Sequence, residues 1–393
     1  MRILIASVTY TPFSNGQAIF TSNLAEQLAA NHHEVLAVVP SDQGQTYHIN
    51  RNGVETQYLW TVDLSFLYPG SVFTPFPAAE VRRVFEWFKP DIAHIQDHYP
   101  LCYHTYNAAR RFGVKIIGTN HFMPENIAPV FPWLSRFKSN FDWVLWKWML
   151  GLYNKLDMVT AQSKTAVEIL KNKGIQVDTK PITCGVNLER FKPDPSIDRK
   201  IWRAKYGLSM DKTTFLFVGR VGGEKRLDVI IRALHQLKRK DIQIIIAGIG
   251  AHVTKLSTLV KELQLEDLVR FTGFIPNEHL PPLLNSIDIF TMPSEAELLS
   301  IASLEAMATA KPLLLADAQA LPELVTNGEN GYLFRSGDID DAAHHMALFA
   351  DHPDRWETMG AASLERAKMH SLEMMRRGFE EVYKTVLSNG TIK

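Results

Sequence analysis

The chain has 393 residues, too many for one ordinary core and enough for two α/β domains of nearly equal size. Lys+Arg and Asp+Glu both total 42, so the formal net charge is zero, and the basic excess expected of a nucleic-acid partner is absent. Two cysteines, Cys102 and Cys184, form no disulfide framework and fit a reducing cytoplasm.

The first residues, Met1 to Ala6, turn polar almost at once. Their apolar run is too short for a signal h-region and reads as a buried strand. No stretch is apolar for long enough to span a bilayer. Strands are predicted over Arg2–Ser7, Glu34–Pro40, Asp91–Gln96, Val114–Thr119, Asp157–Ala161 and Lys180–Thr183. Helical spacing marks Gln17–Asn31, Ala78–Phe88 and Lys164–Lys173. Apolar strands separated by helices call for a parallel sheet covered on both faces. Pro193 and Pro195 interrupt the pattern within Asn187–Ile197, where the linker is placed. A second series follows, with strands over Thr214–Gly219, Gln243–Gly248, Val269–Thr272, Ile287–Met292 and Pro312–Ala316. Its helices cover Leu227–Lys238, Val253–Leu263, Ser300–Ala308 and Ile339–Ala350. The expectation is two doubly wound α/β domains, residues 1–193 and 194–370. The amphipathic stretch Ser371–Leu387 can cap either; packing of 371–393 back on the first domain is one arrangement.

Ligands of open parallel sheets bind beyond the carboxyl ends of the strands. After Thr214–Gly219 comes Arg220-Val221-Gly222-Gly223-Glu224-Lys225-Arg226, where two cations and several glycines suit a diphosphate; a basic surface turn explains the spacing equally well. Ala247-Gly248-Ile249-Gly250 is a fragment of a dinucleotide fingerprint without its third glycine, which a tight turn also explains. The same missing glycine disfavours a nicotinamide dehydrogenase. Past Ile287–Met292, Ser300 or a neighbour opens a helix whose amides favour an anion. Glu297 precedes that helix and Glu305 lies within it; both are able to accept hydrogen bonds from sugar hydroxyls or merely to complement the helix dipole.

Glu297 and Glu305, with the tail Glu305-Ala306-Met307-Ala308, resemble the E-x7-E motif of family 4 glycosyltransferases. Gly219-Arg220 and Glu224-Lys225 resemble that family's phosphate-binding block, and Asp288 to Ser294 and Asn330 to Phe334 match its flanks. The resemblance implies the GT-B fold, two Rossmann-like domains facing across a cleft, and retaining transfer of a hexose from a UDP- or GDP-sugar. It implies that Arg220 and Lys225 grip the diphosphate, Glu305 the ribose and Glu297 the transferred sugar. The backbone near Leu299 and Ser300 would meet phosphate, and that of Phe274 and Ile275 would border the base. His121, after Val114–Thr119, matches the family histidine that contacts the donor sugar, and Gly16 matches a glycine approaching phosphate or acceptor. Leu298-Leu299-Ser300 departs from the family's Gly-Phe-Gly, Cys184-Gly185-Val186-Asn187 from its Asn-Gly-Val-Asp, and Ala310 from a common glycine. No metal or other cofactor is implied. A GT-B nucleotide-sugar epimerase and a transferase acting on a soluble or polysaccharide acceptor are the alternatives.

Two acidic or histidine groupings invite a metal reading. Asp338-Ile339-Asp340 reads better as a helix cap, and His94, Asp97 and His98 as loop lining, although their spacing permits a metal. Residues 131–153 hold Trp133, Trp143, Trp146 and Trp148, interleaved with Arg136, Lys138, Lys147 and, beyond, Lys155. Aromatics among cations fit an interfacial membrane helix, and a buried interdomain helix fits as well. With the family's lipid-glycosylating branch, this makes an anionic membrane surface and a lipid acceptor such as diacylglycerol the expected partners, contacted by Trp133, Lys138, Trp143, Trp146 and Lys147.

Overall fold

The computed structural model describes residues 1–12, 15–64, 72–123 and 138–389, with backbone alone at 138–141. These residues divide into two compact units, one of 1–123, 138–185 and 372–389, the other of 186–371. The boundary falls after Gly185, ahead of the proline-broken segment where sequence placed it at residue 193.

The first unit runs β1 (Arg2–Ala6), α1 (Gly16–Ala30), β2 (Glu34–Pro40), β3 (Tyr47–Arg51), β4 (Val54–Leu59), β5 (Val62–Asp63), β6 (Val72–Phe73), α2 (Ala78–Phe88), β7 (Ile92–Ile95), α3 (Pro100–Phe112), β8 (Lys115–Asn120), α4 (Lys138–Tyr153), β9 (Met158–Ala161), α5 (Lys164–Lys173) and β10 (Thr179–Pro181). Its main sheet has the order β10-β9-β8-β7-β1-β2-β4-β3. All neighbours pair in parallel except β3, which lies antiparallel on β4 at the edge. Ile3, Leu4, Ile5 and Ala6 are fully buried, as expected of a central strand covered on both faces. The β3–β4 hairpin escaped the sequence reading because β3 is almost wholly exposed and carries no apolar alternation. Helix α3 escaped it for a related reason. It buries Leu101, Cys102, Thr105, Ala108 and Ala109, mostly small or polar residues that leave a faint periodicity.

The second unit runs α6 (Arg199–Lys205), β11 (Thr213–Val218), α7 (Leu227–Leu237), β12 (Ile242–Ala247), α8 (Val253–Glu262), β13 (Val269–Gly273), α9 (Leu280–Ser286), β14 (Ile289–Met292), α10 (Ile301–Ala308), β15 (Leu313–Asp317), β16 (Gly331–Arg335), α11 (Ile339–Asp351) and α12 (Trp356–Lys368). Its sheet is parallel throughout, in the order β13-β12-β11-β14-β15-β16. Buried Arg203 of α6 donates to Asp288 Oδ2 (2.6 Å) and to the Ser286 carbonyl (2.9 Å), tying α6 to the segment entering β14. The last helix, α13 (Leu372–Ser388), belongs to the first unit and packs along α1. Its buried stripe of Met375, Phe379, Val382, Tyr383 and Val386 has the i, i+4, i+7 spacing of an amphipathic helix.

Candidate functional site

The carboxyl end of the second sheet gathers most of the residues singled out in the sequence. β11 and β14 are neighbours, so the loops leaving them start side by side. The β11 loop closes in a short 3-10 turn, Gly223–Lys225, and Arg226 then adopts a left-handed conformation before α7 begins. The carbonyl of Glu224 accepts hydrogen bonds from the Glu295 amide (2.9 Å) and Ser294 Oγ (3.3 Å) of the β14 loop. That stitching sets Lys225 against Glu297, and the Lys225 ammonium donates to Glu297 Oε1 at 2.5 Å. Both side chains are largely buried, 13% and 14% exposed, so the pair is screened far less than a surface ion pair. Arg220 donates to Glu224 Oε1 at 2.7 Å; Glu224 is buried while the guanidinium stays more than a third exposed, open to an anion.

Glu305 lies inside α10. Burial pushes its carboxyl up to about 7, and nearby Arg190 offsets part of that rise. Near neutrality it therefore exists as both acid and carboxylate. Ser300 caps α10 by accepting a hydrogen bond from the Ser303 amide (3.2 Å), with Leu298 and Leu299 buried beside it. Phe274 and Ile275 follow β13, with Phe274 60% exposed. Gly219 and Gly248 have a packing reason beyond any ligand. A Cβ on Gly248 would lie 1.8 Å from the Gly219 carbonyl oxygen, so the loops after β11 and β12 close together only because glycine is there. Asp338 caps α11 by accepting the Asp341 amide at 3.0 Å.

In the first unit, β7, β8 and β9 are consecutive in the sheet, and one polar side chain follows each of them. His121 stands just past β8. Its Nε2–H donates to Gln96 Oε1 at 2.9 Å, and its Nδ1 accepts from Gln162 Nε2 at 2.6 Å. Phe20 of α1 meets the ring edge-on at 4.6 Å. Burial pushes the imidazole down to about 3. Each glutamine directly follows a strand, but nothing in its local sequence marks it as a histidine's partner. His94 of β7 has both ring nitrogens engaged, Nδ1 with the Tyr383 hydroxyl (2.9 Å) and Nε2 with Thr119 Oγ1 (2.7 Å). Asp97 accepts the Val8 and Tyr99 amides at 2.8 and 3.0 Å. His98 sits among the rings of Tyr99, Phe122, Trp148 and Tyr153. Asp97 and His98 thus follow β7 in a loop, whereas His94, expected to line a loop as well, lies within the strand and is fully buried. Gly16 is the exposed first residue of α1, whose cap is Asn15, accepting the Ala18 amide at 2.8 Å.

The tryptophan-rich segment divides by helix face. Trp133 and the Lys138 side chain lie outside the described residues. On α4, Trp143 is 61% exposed with the Lys147 ammonium over its ring at 4.8 Å, and Val144 and Trp148 are also exposed. Trp146 departs from the expected surface contact. It is 4% exposed and faces inward with Met149, Leu150 and Tyr153, because positions 146, 149, 150 and 153 share the opposite stripe. Among the described residues no helix is long and apolar enough to cross a membrane.

Two family models match the chain, "Glycosyltransferase Family 4" over residues 14–190 and "Glycosyl transferases group 1" over residues 198–366. A D-inositol 3-phosphate glycosyltransferase of Streptomyces griseus is 30% identical over 227 residues, 52% of this chain and 48% of that protein. The chain thus spans about half the length of such relatives. It matches a GDP-mannose-dependent alpha-mannosyltransferase of Corynebacterium glutamicum at 26% identity, over 99% of this chain and 90% of that one. Among solved structures, sucrose-phosphate synthase of Thermosynechococcus elongatus aligns with a TM-score of 0.84 at 20% identity, covering 99% of this chain and all of that one. Anabaena HepE in complex with UDP-glucose aligns at 0.79 and 18%, covering 98% and 100%; both likenesses concern the fold.

Proposed function

Because this chain belongs to the group 1 glycosyltransferases of family 4, we propose that it is a retaining hexosyltransferase that moves a sugar from a UDP- or GDP-linked donor to an acceptor hydroxyl, with a membrane lipid such as diacylglycerol as that acceptor. The observation that carries the reading is the Lys225–Glu297 contact beside Arg220 at the carboxyl end of β11 and β14. A cation and a carboxylate held together there suit a ligand that is anionic at one end and hydroxylated at the other. Arg220 and Lys225 bind the diphosphate, Glu297 the transferred sugar, Glu305 the ribose, and the backbone at Phe274 and Ile275 the base. By the family likeness, His121 contacts the transferred sugar. The UDP-glucose of the HepE complex and the GDP-mannose in the name of the Corynebacterium relative support a nucleotide-sugar donor without choosing its base.

In the reaction the bond from the anomeric carbon to the diphosphate oxygen breaks, and the acceptor oxygen bonds to the same face of that carbon. The proton of the acceptor hydroxyl passes to the departing phosphate oxygen. No metal takes part in this scheme. Arg220 and Lys225 stabilise the negative charge that grows on the leaving group, and fixed donors of this kind act most strongly on charge that develops late. The exposed Trp143, Trp148 and Lys147 face of α4 is the surface that meets an anionic bilayer, with rings at headgroup depth and the ammonium toward phosphate. A donor screen with purified protein tests the reading, following nucleotide release with and without lipid extract. Release that depends on lipid supports it, whereas a changed sugar with no acceptor required means an epimerase.

A further inference from the structure

Gln96, His121 and Gln162 form one hydrogen-bonded row across the carboxyl ends of three consecutive strands. Both ring nitrogens of His121 are consumed in it. The outer atoms of the row, Gln96 Nε2 and Gln162 Oε1, are buried and have no partner among the described residues. A buried amide that leaves half its hydrogen-bonding capacity unmet is costly, and two flanking one imidazole point to a constraint placed on that ring. Rotating both amides and moving the ring proton to Nδ1 gives a second pattern with the imidazole uncharged and again one donor and one acceptor unmet. Rotating Gln162 alone pairs both amide oxygens with an imidazolium, but leaves a buried charge with no carboxylate beside it and two amide donors unmet.

We propose that Gln96 and Gln162 are positioning residues that hold His121 as a fixed, neutral imidazole for the sugar-transfer step. This rests on the reading of His121 as a sugar contact. The transferred sugar passes through an oxocarbenium-like state, and an imidazolium beside it would oppose the positive charge on the ring. A carboxylate partner would draw a second proton onto the imidazole, as aspartates do for histidines elsewhere; a neutral amide supplies no charge to offset a buried imidazolium. The surroundings agree. His94 of β7 is the titratable neighbour and is itself held by Tyr383 and Thr119. The Asp97 carboxylate is turned to the Val8 and Tyr99 amides and to Gln17. α1 presents Phe20, and Gln162 follows the end of β9. Burial lowers the basicity of the ring further.

The test begins with the unaltered protein, using 15N-labelled histidine. Its His121 resonances are expected to show one protonated and one bare nitrogen throughout pH 5–8; an imidazolium signature at pH 6 overturns the proposal. Gln162→Glu keeps the shape and supplies a carboxylate. In that variant His121 is expected to become an imidazolium at neutral pH. Transfer should then fall about tenfold per pH unit below the new pKa, with donor KM nearly unchanged and wild-type rates flat over the same window. A charged His121 with a flat rate profile refutes the need for neutrality, and an uncharged His121 refutes the pairing. Wild-type protein that transfers no sugar from any donor refutes the proposed function instead, and the nitrogen spectra still decide the pairing.

Discussion

Gly248→Ala exposes the packing beneath the candidate donor site. The added Cβ would lie 1.8 Å from the Gly219 carbonyl oxygen and 2.9 Å from its carbonyl carbon, where real contacts stay beyond 3.0 Å. The residue also sits at φ +149°, a region L side chains avoid. The strain costs about 1–2 kcal/mol and the forced retreat of the β11 loop about 1–3 kcal/mol. The whole protein is stable by about 5–15 kcal/mol, so a sum of about 2–5 kcal/mol is a large share. With a urea dependence of about 2 kcal/mol per molar, the midpoint should drop by about 1–2.5 M. Gly328→Ala in the same unit is the control. It also sits at positive φ, +79°, nearer the allowed left-handed region, and has nothing closer than Arg355 Nη2 at 4.0 Å, so only a conformational penalty should appear. The retreat displaces the chain carrying Arg220, so whatever Gly248→Ala protein folds should also bind nucleotide more weakly. Equal midpoints for the two variants, or unimpaired nucleotide binding by Gly248→Ala, would refute the claim that close approach of these loops builds the site.

Lys225→Ala should reduce transfer by about 10²–10³-fold, as the loss of a fixed donor to developing charge does elsewhere, while circular dichroism stays native; near-normal turnover in the folded variant sinks the donor assignment. Glu305 carries a folded-state pKa raised to about 7, above its ordinary value, so the folded protein binds the extra proton and stability should decline as pH rises from about 5 to about 7. Glu305→Gln should flatten that decline in denaturation curves, and an unchanged slope would count against the assignment. Trp143→Ser should lessen pelleting with anionic vesicles while leaving the melting temperature near wild type. Trp146→Ser should do the reverse, because it empties a buried site at a cost of about 3–5 kcal/mol; equal effects on both readouts would contradict the two-faced helix.

Legibility followed the physics of each element. The central strands announced themselves as continuous apolar runs because both of their faces are covered, as in Ile3–Ala6. The β3–β4 hairpin and α3 left weaker traces, since one lies at an exposed edge and the other buries small residues. Arg220, Lys225 and Glu297 drew notice because chain order placed them just after strands, where local backbone geometry dictates their neighbourhood, while Glu305, inside a helix, stood out only through the family resemblance. Trp146 was misjudged because composition describes a helix but not its faces. Gln96 and Gln162 went unnoticed because nothing local distinguishes an amide that pairs with a histidine from one that meets water.

Chain order alone determined the alternation of buried strand and amphipathic helix, and with it the two parallel sheets and the ends at which ligands gather. Hydrophobic periodicity is a local property, so it survives in a one-dimensional record. The tertiary structure alone decided which loops touch: Lys225 on Glu297 across 72 positions of chain, His121 between glutamines from neighbouring strands. Such pairs depend on strand order within a sheet, and strand order is set by how whole layers pack, which no short stretch of sequence encodes.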